Sequence, residues 1–417
     1  MKNFRFLHAA DVHLDSPLHG LARYEGVPLE DVRGATRAAF DNLIDLAIQE
    51  RVDFVVIAGD LYDGEWKHMG TGLYFAQAMG RLDREGIPVF LLAGNHDAAS
   101  VITRQIPWPT NVRLFSSRKP ETHMLDDLGV AVHGQSFATP AVTENLVANY
   151  PDAVPHAFNV GVLHTALSGA PGHAPYAPCD VADLRAKGYD YWALGHVHAQ
   201  QIVSTEPHVV YPGNLQGRNI RETGPKGAML VEVSDRQVAS VTPVELDVLR
   251  WRRIEVDCND AQMDGVPDRI RSALASTVGS EGAGRPLIVR LTLQGSSDIA
   301  GALKDRATEL RDEVCAIATS ISPDLWIEKV VSEVTSSPVA EAPEAGLDFA
   351  EIIDEAHSDP ELIAELQGEL EPFLVSAKSS LGDPEDDELR ALAEAGSWDR
   401  MLEASAAALR ARLVGEA

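Results

Sequence analysis

The sequence predicts an α/β fold in which strands alternate with helices, and three observations predict it. Apolar runs of strand length at residues 4–10, 54–58 and 89–93 each stop at polar residues or at a glycine followed by polar residues. Stretches with apolar residues at helical spacing lie between these runs. The order strand, helix, strand then implies a parallel sheet joined by right-handed crossovers.

The elements of residues 1–246 follow from local patterns. Phe40, Leu43 and Ile44 contribute to an apolar stripe along a predicted helix over 29–50, and a second helix is predicted over 72–84. Both stripes are interpreted as faces that cover a sheet. The later part is rich in strands with short turns, so two packed mixed sheets flanked by helices would explain the order. The strands predicted there are 130–137, 160–164, 189–194, 209–211, 228–233 and 237–245.

Residues 247–335 predict a small α/β capping domain. This stretch contains no histidine, so it is expected to position a ligand or cover a site and not to carry the chemistry. Its predicted elements are strands 251–256, 287–293 and 325–334 and helices 266–276 and 300–318.

The last part of the chain reads as a linker followed by an acidic helical region. Residues 336–346 combine proline, serine and alanine and predict a linker. Helical patterns continue through 347–417, with an apolar stripe too large to leave in water, so this region either folds back or docks on a partner. From Pro338 onward, 20 Asp and Glu stand against 5 Lys and Arg.

The composition is that of an ordinary globular protein, with 45% hydrophobic and 24% charged residues among 417. Three widely spaced cysteines give neither a disulfide framework nor a Cys-rich metal site. We find no apolar run of about 18 to 20 residues and no cleavable leader, so we expect a cytoplasmic protein that does not span a membrane. The net charge of −28 argues against non-specific polyanion binding by the whole molecule.

Polar side chains follow five of the apolar runs. The ordered set comprises Asp11 with His13, Asp60, Asn95 with His96, His164, and His196 with His198. Each motif alone is weak, because a lone histidine at a strand end is more often structural than a ligand. Since ligands bind at the carboxyl ends of strands in open α/β sheets, the runs can converge on one place. Together the set predicts a metal site.

The residue types also restrict the chemistry. Two divalent ions need a bridging carboxylate together with oxygen and imidazole ligands that leave positions open for water and substrate. Ligation by nitrogen and oxygen without thiolate points to Mn²⁺, Fe²⁺ or Zn²⁺ more than to Mg²⁺ or Ca²⁺. Ligand type does not choose among the three, and we expect two divalent ions, Mn²⁺ first. Arg218 and Arg221 follow the turn at Asn214 and could contact backbone phosphates.

The order Asp-x-His, Gly-Asp, Gly-Asn-His-Asp, His, Gly-His-x-His resembles the calcineurin-like metallophosphoesterases, which are four-layer αββα sandwiches with a two-metal centre. Within them, residues 8–18, 211–216 and 226–227 are similar to the DNA repair exonucleases of the SbcD/YhaO-like family, which are Mre11-type nucleases. The resemblance covers roughly residues 1–245. It extends to the capping domain and helical tail by domain order alone.

The resemblance implies a position for each ligand. One metal would be held by Asp11, His13 and His198, and the other by Asn95, His164 and His196, with Asp60 bridging them. It also implies that His96 is not a ligand but faces the scissile phosphate, and that Asp63 orients His96.

The resemblance further implies a metal-dependent DNA exonuclease or endonuclease that hydrolyses phosphodiester bonds by a two-metal mechanism in DNA repair. The implied partner is a coiled-coil ATPase of the SbcC/YhaN type, and the resemblance is also compatible with a homodimer. Two alternatives remain: a small-molecule or nucleotide phosphoesterase using the same site, and a non-catalytic scaffold subunit.

Overall fold

A computed structural model of the chain describes residues 2–16, 29–63, 69–98, 108–167, 176–281 and 284–336, and the single helical residue Gly368. The predicted linker beyond Ser336, the predicted helical tail and the loop 64–68 lie outside the described residues. The chain divides into two compact units. The first contains residues 1–254, 274–291 and 318–329, and the second contains 255–273, 292–317 and the chain from 330 onward.

Strands and helices alternate as far as residue 98, and strands outnumber helices among the described residues from 112 onward. The strands are β1 (Phe4–Ala9), β2 (Phe54–Ile57), β3 (Val89–Leu91), β4 (Val112–Leu114), β5 (Glu121–Leu125), β6 (Val130–Gly134), β7 (Phe158–His164), β8 (Tyr191–Gly195), β9 (Gln201–Thr205), β10 (His208–Tyr211), β11 (Gly227–Ser234), β12 (Gln237–Glu245), β13 (Arg250–Asp257), β14 (Leu287–Ser296) and β15 (Leu325–Thr335). The helices are α1 (Leu29–Gln49), α2 (Met69–Arg84), α3 (Asn95–Ala98), α4 (Val181–Ala186), α5 (Val266–Glu281), α6 (Ala300–Asp305) and α7 (Ala307–Ile321).

Two six-stranded sheets form the first part of the fold. The first has the order β12-β11-β1-β2-β3-β4, in which β1 to β4 are parallel and β11 pairs antiparallel with β1. The second has the order β5-β6-β7-β8-β10-β9, in which the central strands are parallel and the edge strands β5 and β9 are antiparallel. The prediction of an α/β fold with mixed sheets is confirmed.

The central strands of the two sheets are buried because their residues are largely apolar on both faces. Phe6, Phe54 and Phe90 of the first sheet pack against Val160 and Tyr191 of the second. The rings of Phe6 and Phe54 stack at 4.7 Å, and Phe6 meets Tyr191 edge-on at 5.2 Å. Full burial of each such side chain contributes roughly 1.5–3 kcal/mol.

Helices cover the outer faces of both sheets and complete four layers. Phe40 and Leu43 of α1 and Met79 of α2 pack against β1, β2 and β3, as the apolar stripes predict. Leu184 of α4 and the short 3₁₀ helix Leu146–Asn149 cover the second sheet.

The three remaining strands form a third sheet with the order β13-β14-β15. The helix predicted over 300–318 is wrong in one respect, because α6 ends at Asp305 and α7 begins at Ala307. Arg306 leaves helical geometry there, with φ −104° and ψ 26°. Of the helices that the structure describes, none has the length and apolar character needed to cross a membrane.

Candidate metal centre

The polar residues that follow the strands of both sheets meet at one end of the fold. Asp11 follows β1, Asp60 follows β2, and Asn95 begins α3 directly after the loop from β3. His164 is the last residue of β7, and His196 follows β8. Parallel strands in each sheet place these carboxyl ends at a common edge, so side chains from distant parts of the sequence become neighbours.

The backbone turns sharply where it presents these side chains. Asp11, His13, Asp60 and His196 have φ values of 49°, 46°, 51° and 96°. Positive φ is uncommon outside glycine, and such residues cluster at functional sites where the surrounding structure holds them in place. Backbone hydrogen bonds do so here, since His13 N–H donates to Asp60 O at 3.0 Å.

Three groups of side chains place their nitrogen and oxygen atoms within 4.8 Å of one another. The groups share Asp60 and His13, so they form one continuous cluster. They are Asp11 with His13 and His198, His13 with Asp60 and His96, and Asp60 with His164 and His196.

Asn95 completes the cluster beside His164. Its Oδ1 lies 2.9 Å from His164 Nε2, and Asp60 Oδ2 lies 3.3 Å from the same nitrogen. The other ring nitrogen, Nδ1, donates to the Ala58 carbonyl at 2.9 Å. That hydrogen bond directs Nε2 of His164 toward the two oxygens, which is how a second hydrogen bond commonly orients a histidine ligand.

The buried polar atoms of this cluster fit a pair of divalent ions. His13 is fully buried, yet its Nδ1 has no hydrogen-bond partner among the described residues. Nε2 of His13 faces Nε2 of His198 at 3.4 Å. Each buried carboxylate lies beside an imidazole, Asp60 beside His164 and Asp11 beside His198. Two carboxylates, an amide oxygen and imidazoles are a donor set suited to divalent transition metals.

Electrostatics keeps part of the cluster in the form that binds metal. Burial lowers the pKa of His13 well below its ordinary value, with a contribution from the charge of Arg218, so this imidazole is neutral. Burial acts to raise the pKa of Asp60, but the charge and hydrogen bond of His164 outweigh it and the pKa is lowered. Histidine ligands must be neutral and carboxylate ligands ionised, so His13 and Asp60 have the form that binds metal. His164 does not: burial acts to lower its pKa, but Asp60 and Asp11 raise it to about 9, so a metal ion would displace a proton from this ring.

His96 stands at the open side of the cluster. Its side chain is 39% exposed, and its Nδ1 lies 3.0 Å from Asp63 Oδ1. Ser16 Oγ donates to the other oxygen of Asp63 at 2.7 Å. The hydrogen bond with Asp63 raises the pKa of His96 although partial burial opposes it. His96 is therefore a group that can hold a proton next to the cluster.

The two arginines predicted to contact phosphates lie in different places. Arg218 is largely buried at the cluster, 3.7 Å from Asp63 and 3.3 Å from Glu222. Arg221 is exposed, and its backbone N–H donates to Asn219 Oδ1. The structure brings Arg218 to the predicted metal residues and leaves Arg221 at the surface.

Sequence reasoning missed Glu222. Its Oε1 accepts a hydrogen bond from His198 Nδ1 at 2.7 Å. Burial acts to raise the pKa of Glu222, but the bond with His198 and the charge of Arg218 lower it to about 2. The sequence could have indicated Glu222 through its position between the 211–216 and 226–227 motifs. An acidic residue close to two arginines is, however, also typical of an exposed turn.

Comparisons with known proteins agree with this geometry. The family described as Calcineurin-like phosphoesterase matches residues 4–200, and the family described as Metallophosphoesterase YhaO, middle domain, matches residues 251–335.

Individual relatives span most of the chain. The Uncharacterized metallophosphoesterase YhaO of Bacillus subtilis is 37% identical over 301 residues, which are 71% of this chain and 73% of the relative. The DNA double-strand break repair protein Mre11 of Sulfurisphaera tokodaii is 24% identical over 275 residues, covering 62% of this chain and 67% of its own. A solved dimetal phosphatase from Danio rerio covers 58% of this chain and 97% of its own, with 12% identity and a TM-score of 0.35.

The extent of the match to YhaO and the strand-end cluster lead to one conclusion. Calcineurin-like phosphoesterases bind two divalent metals, and the described residues include candidate ligand groups for them. This chain belongs to the calcineurin-like metallophosphoesterases and is a hydrolase of that family, close to YhaO and more distantly similar to Mre11.

Proposed function

We propose that this protein is a metal-dependent DNA nuclease of the Mre11 and SbcD type that hydrolyses phosphodiester bonds in DNA repair. The observation that carries the proposal is the placement of His96, partly exposed beside a buried cluster of metal-binding residues and held there by Asp63. The likeness to a relative named as a DNA double-strand break repair protein favours DNA over other phosphodiesters.

In this proposal the ligands divide between two ions. Asp11, His13 and His198 would hold one, Asn95, His164 and His196 would hold the other, and Asp60 would lie between them; the proximity of these side chains supports the division. When bound, the ions supply Lewis-acid polarisation of the phosphoryl group and activate water for attack. We propose Mn²⁺, with Fe²⁺ or Zn²⁺ as alternatives; the mixed nitrogen and oxygen donors favour these three ions over Mg²⁺ or Ca²⁺ but do not choose among them.

The side chains at the open side would act on the substrate. In the protonated form that Asp63 favours, His96 donates from Nδ1 to Asp63, and its Nε2–H would face the phosphate and give that proton to the leaving oxygen, which leaves a neutral ring. Arg218 lies near enough to the cluster to offset negative charge on the phosphoryl oxygens. Arg221, at the surface, would contact the DNA backbone farther along the strand.

We also propose a partner, because the net charge of −28 opposes association with a polyanion. A coiled-coil ATPase of the SbcC or YhaN kind would supply the DNA-binding surface, with residues 347–417 docking on it and the capping domain placing the duplex.

To test the nuclease assignment, purified protein with Mn²⁺ would digest duplex DNA labelled at the 3′ or the 5′ end, beside His96→Ala. We expect the variant to lose about 10²- to 10⁴-fold in rate, because general acid catalysis contributes that much. It should keep close to two metals per chain, because His96 is not a proposed ligand. His156→Asn changes an exposed histidine and serves as the matched control.

The two labels would also give the polarity of digestion. Undiminished cleavage by both His96→Ala and Asp60→Ala would show that another site cleaves DNA.

A small-molecule or nucleotide phosphodiesterase is the second candidate function, and the strong negative charge favours it. The same preparation would be assayed on a cyclic or nitrophenyl phosphodiester. Turnover of these compounds with no cleavage of DNA, in the presence or absence of the ATPase, would favour the second candidate.

A further inference from the structure

Glu222 is a buried carboxylate beside the cluster that no part of the proposed mechanism uses. It lies between β10 and β11 and is 9% exposed. Its Oε2 accepts hydrogen bonds from Asn214 Nδ2 at 2.9 Å and from the backbone N–H of Arg218 at 2.7 Å. Its Oε1 accepts from His198 Nδ1 at 2.7 Å and lies 3.3 Å from Arg218 Nη2.

This arrangement fixes which nitrogen of His198 carries the proton. Both hydrogen bonds to Oε2 come from groups that can only donate, so the carboxylate must be an acceptor on that side. An ionised carboxylate is also an acceptor at Oε1, so Nδ1 of His198 must be the donor. Arg218 Nη2 lies 3.5 Å from the same nitrogen, but this contact is far longer than the 2.7 Å bond to Oε1, and the guanidinium lies closer to Oε1 itself. The lone pair of a neutral ring is then on Nε2, which faces His13 Nε2 at 3.4 Å and Asp11 Oδ1 at 3.9 Å.

We propose that Glu222 is a positioning residue of the metal centre, which holds His198 in the Nδ1–H tautomer with Nε2 directed at the ion that His198 shares with Asp11 and His13. A carboxylate that accepts from the second nitrogen of a histidine ligand also raises the basicity of the ligand. The inference rests on the metal assignment proposed above and does not depend on DNA being the substrate.

The substitution Glu222→Gln tests this because it preserves shape and reverses hydrogen bonding. The two donors at Oε2 require the glutamine oxygen on their side, which turns its NH₂ group toward His198. Nδ1 must then accept, and the proton of the neutral ring moves to Nε2, the nitrogen that should bind metal. We therefore expect Gln to disable His198 while the hydrogen bonds from Asn214 and from the Arg218 backbone keep the turn in place; the ion pair with the Arg218 side chain is lost.

Two measurements on the full chain would read this out. Nitrogen-15 NMR of the imidazole rings in metal-free protein should show the Nδ1–H form of His198 in the wild type and the Nε2–H form in Glu222→Gln, with assignment by His198→Asn. Titration with Mn²⁺ should show one of two ions bound about 10- to 100-fold more weakly in the variant. Glu232→Gln, an exposed glutamate on β11, is the matched control.

Three results would overturn the inference. An unchanged His198 tautomer in Glu222→Gln would contradict the proposed hydrogen bonding, and wild-type affinity for both ions would contradict its importance for metal binding. Wild-type protein that binds fewer than two ions would overturn the metal assignment together with this inference. Absence of DNA cleavage alongside the expected shifts would reject only the nuclease function.

Discussion

At the scale of single residues, His8 shows how a histidine next to the metal centre can be purely structural. It is fully buried, with Nδ1 accepting from the Tyr191 hydroxyl at 3.0 Å and Nε2 donating to the Leu194 carbonyl at 3.1 Å. Neither partner carries a negative charge, so nothing at the two ring nitrogens compensates the cost of burying a charged imidazole. Burial accordingly lowers the pKa of His8 to about 3, although the Leu194 carbonyl opposes the shift.

We predict that His8 makes the free energy of unfolding depend on pH. The folded pKa lies below the unfolded value of about 6.5, so the unfolded chain binds the proton more tightly. The contribution is therefore complete above about pH 6.5 and is lost, at about 1.4 kcal/mol per pH unit, as the pH falls toward the folded pKa. Urea unfolding at several pH values, with EDTA present, should give a shallower slope for His8→Gln than for the wild type.

Other buried histidines, such as His133, also have a lowered pKa and add to the pH dependence of the free energy of unfolding. The test is therefore the difference in slope between the wild type and His8→Gln. The control is His156→Asn. Identical slopes for the wild type and His8→Gln would contradict the prediction.

The candidate ligands could be predicted because each follows an apolar run, and both the run and the polar residue at its end are visible in the local sequence. Glu222 could not, because its contact with His198 depends on the path of the turn between β10 and β11. The difference between Arg218 and Arg221 has the same origin, since two arginines three residues apart look alike until the turn directs one inward.

At the scale of secondary structure elements, the strands of the two sheets approach each other closely at the metal centre. Gly195 ends β8 where a Cβ atom would lie 2.0 Å from the Ala58 carbonyl oxygen and 2.9 Å from His164 Nδ1. The same carbonyl oxygen accepts the hydrogen bond that orients His164. Any side chain at Gly195 must push apart the strand ends that hold the ligands.

We predict that Gly195→Ala destabilises the protein by about 1–3 kcal/mol, the usual cost of overpacking, and weakens metal binding through His164. Thermal unfolding and Mn²⁺ titration would measure both effects. Gly80→Ala is the control, because Gly80 is in α2 with nothing within 4 Å of its added Cβ. It should stabilise by about 0.5–1 kcal/mol. Equal effects of the two substitutions would mean that close approach of the strands is not what requires Gly195.

The central strands were predictable because burial on both faces makes their sequences uniformly apolar. The long helices were predictable because burial of one face gives apolar residues at helical spacing. The short strand β4 and the edge strands β5 and β9 were missed. Residues of β9 are largely exposed, so hydrogen bonding to β10 and not hydrophobicity specifies that strand. The break at Arg306 was missed because apolar periodicity continues across it.

At the scale of the whole molecule, the candidate metal centre draws its residues from both sheets. Its proposed ligands come from β1, β2 and β3 on one side and from β7 and β8 on the other. Ions bound by both sheets would therefore oppose their separation, and binding to the folded state alone shifts the unfolding equilibrium.

We predict that removing metal with EDTA lowers the melting temperature and that excess Mn²⁺ restores it. Free metal ion at 100 times the dissociation constant of a site adds about 2.7 kcal/mol to the free energy of unfolding. Differential scanning calorimetry would measure the shift. Asp60→Asn, which removes the proposed bridge, should respond much less than Asp126→Asn, an exposed substitution. A melting temperature that does not respond to metal in the wild type would contradict the two-ion assignment.

The pairing of β1 with β11 also bears on when the protein becomes active during its synthesis. β1 carries the chain to Asp11 and His13, but it lies between β2 and β11, a strand that begins only at Gly227. A ribosome has therefore made the first candidate ligands long before the strand that secures them exists. The hydrolytic centre should mature late, after more than half of the chain has emerged, so that a nascent chain is not a working phosphoesterase.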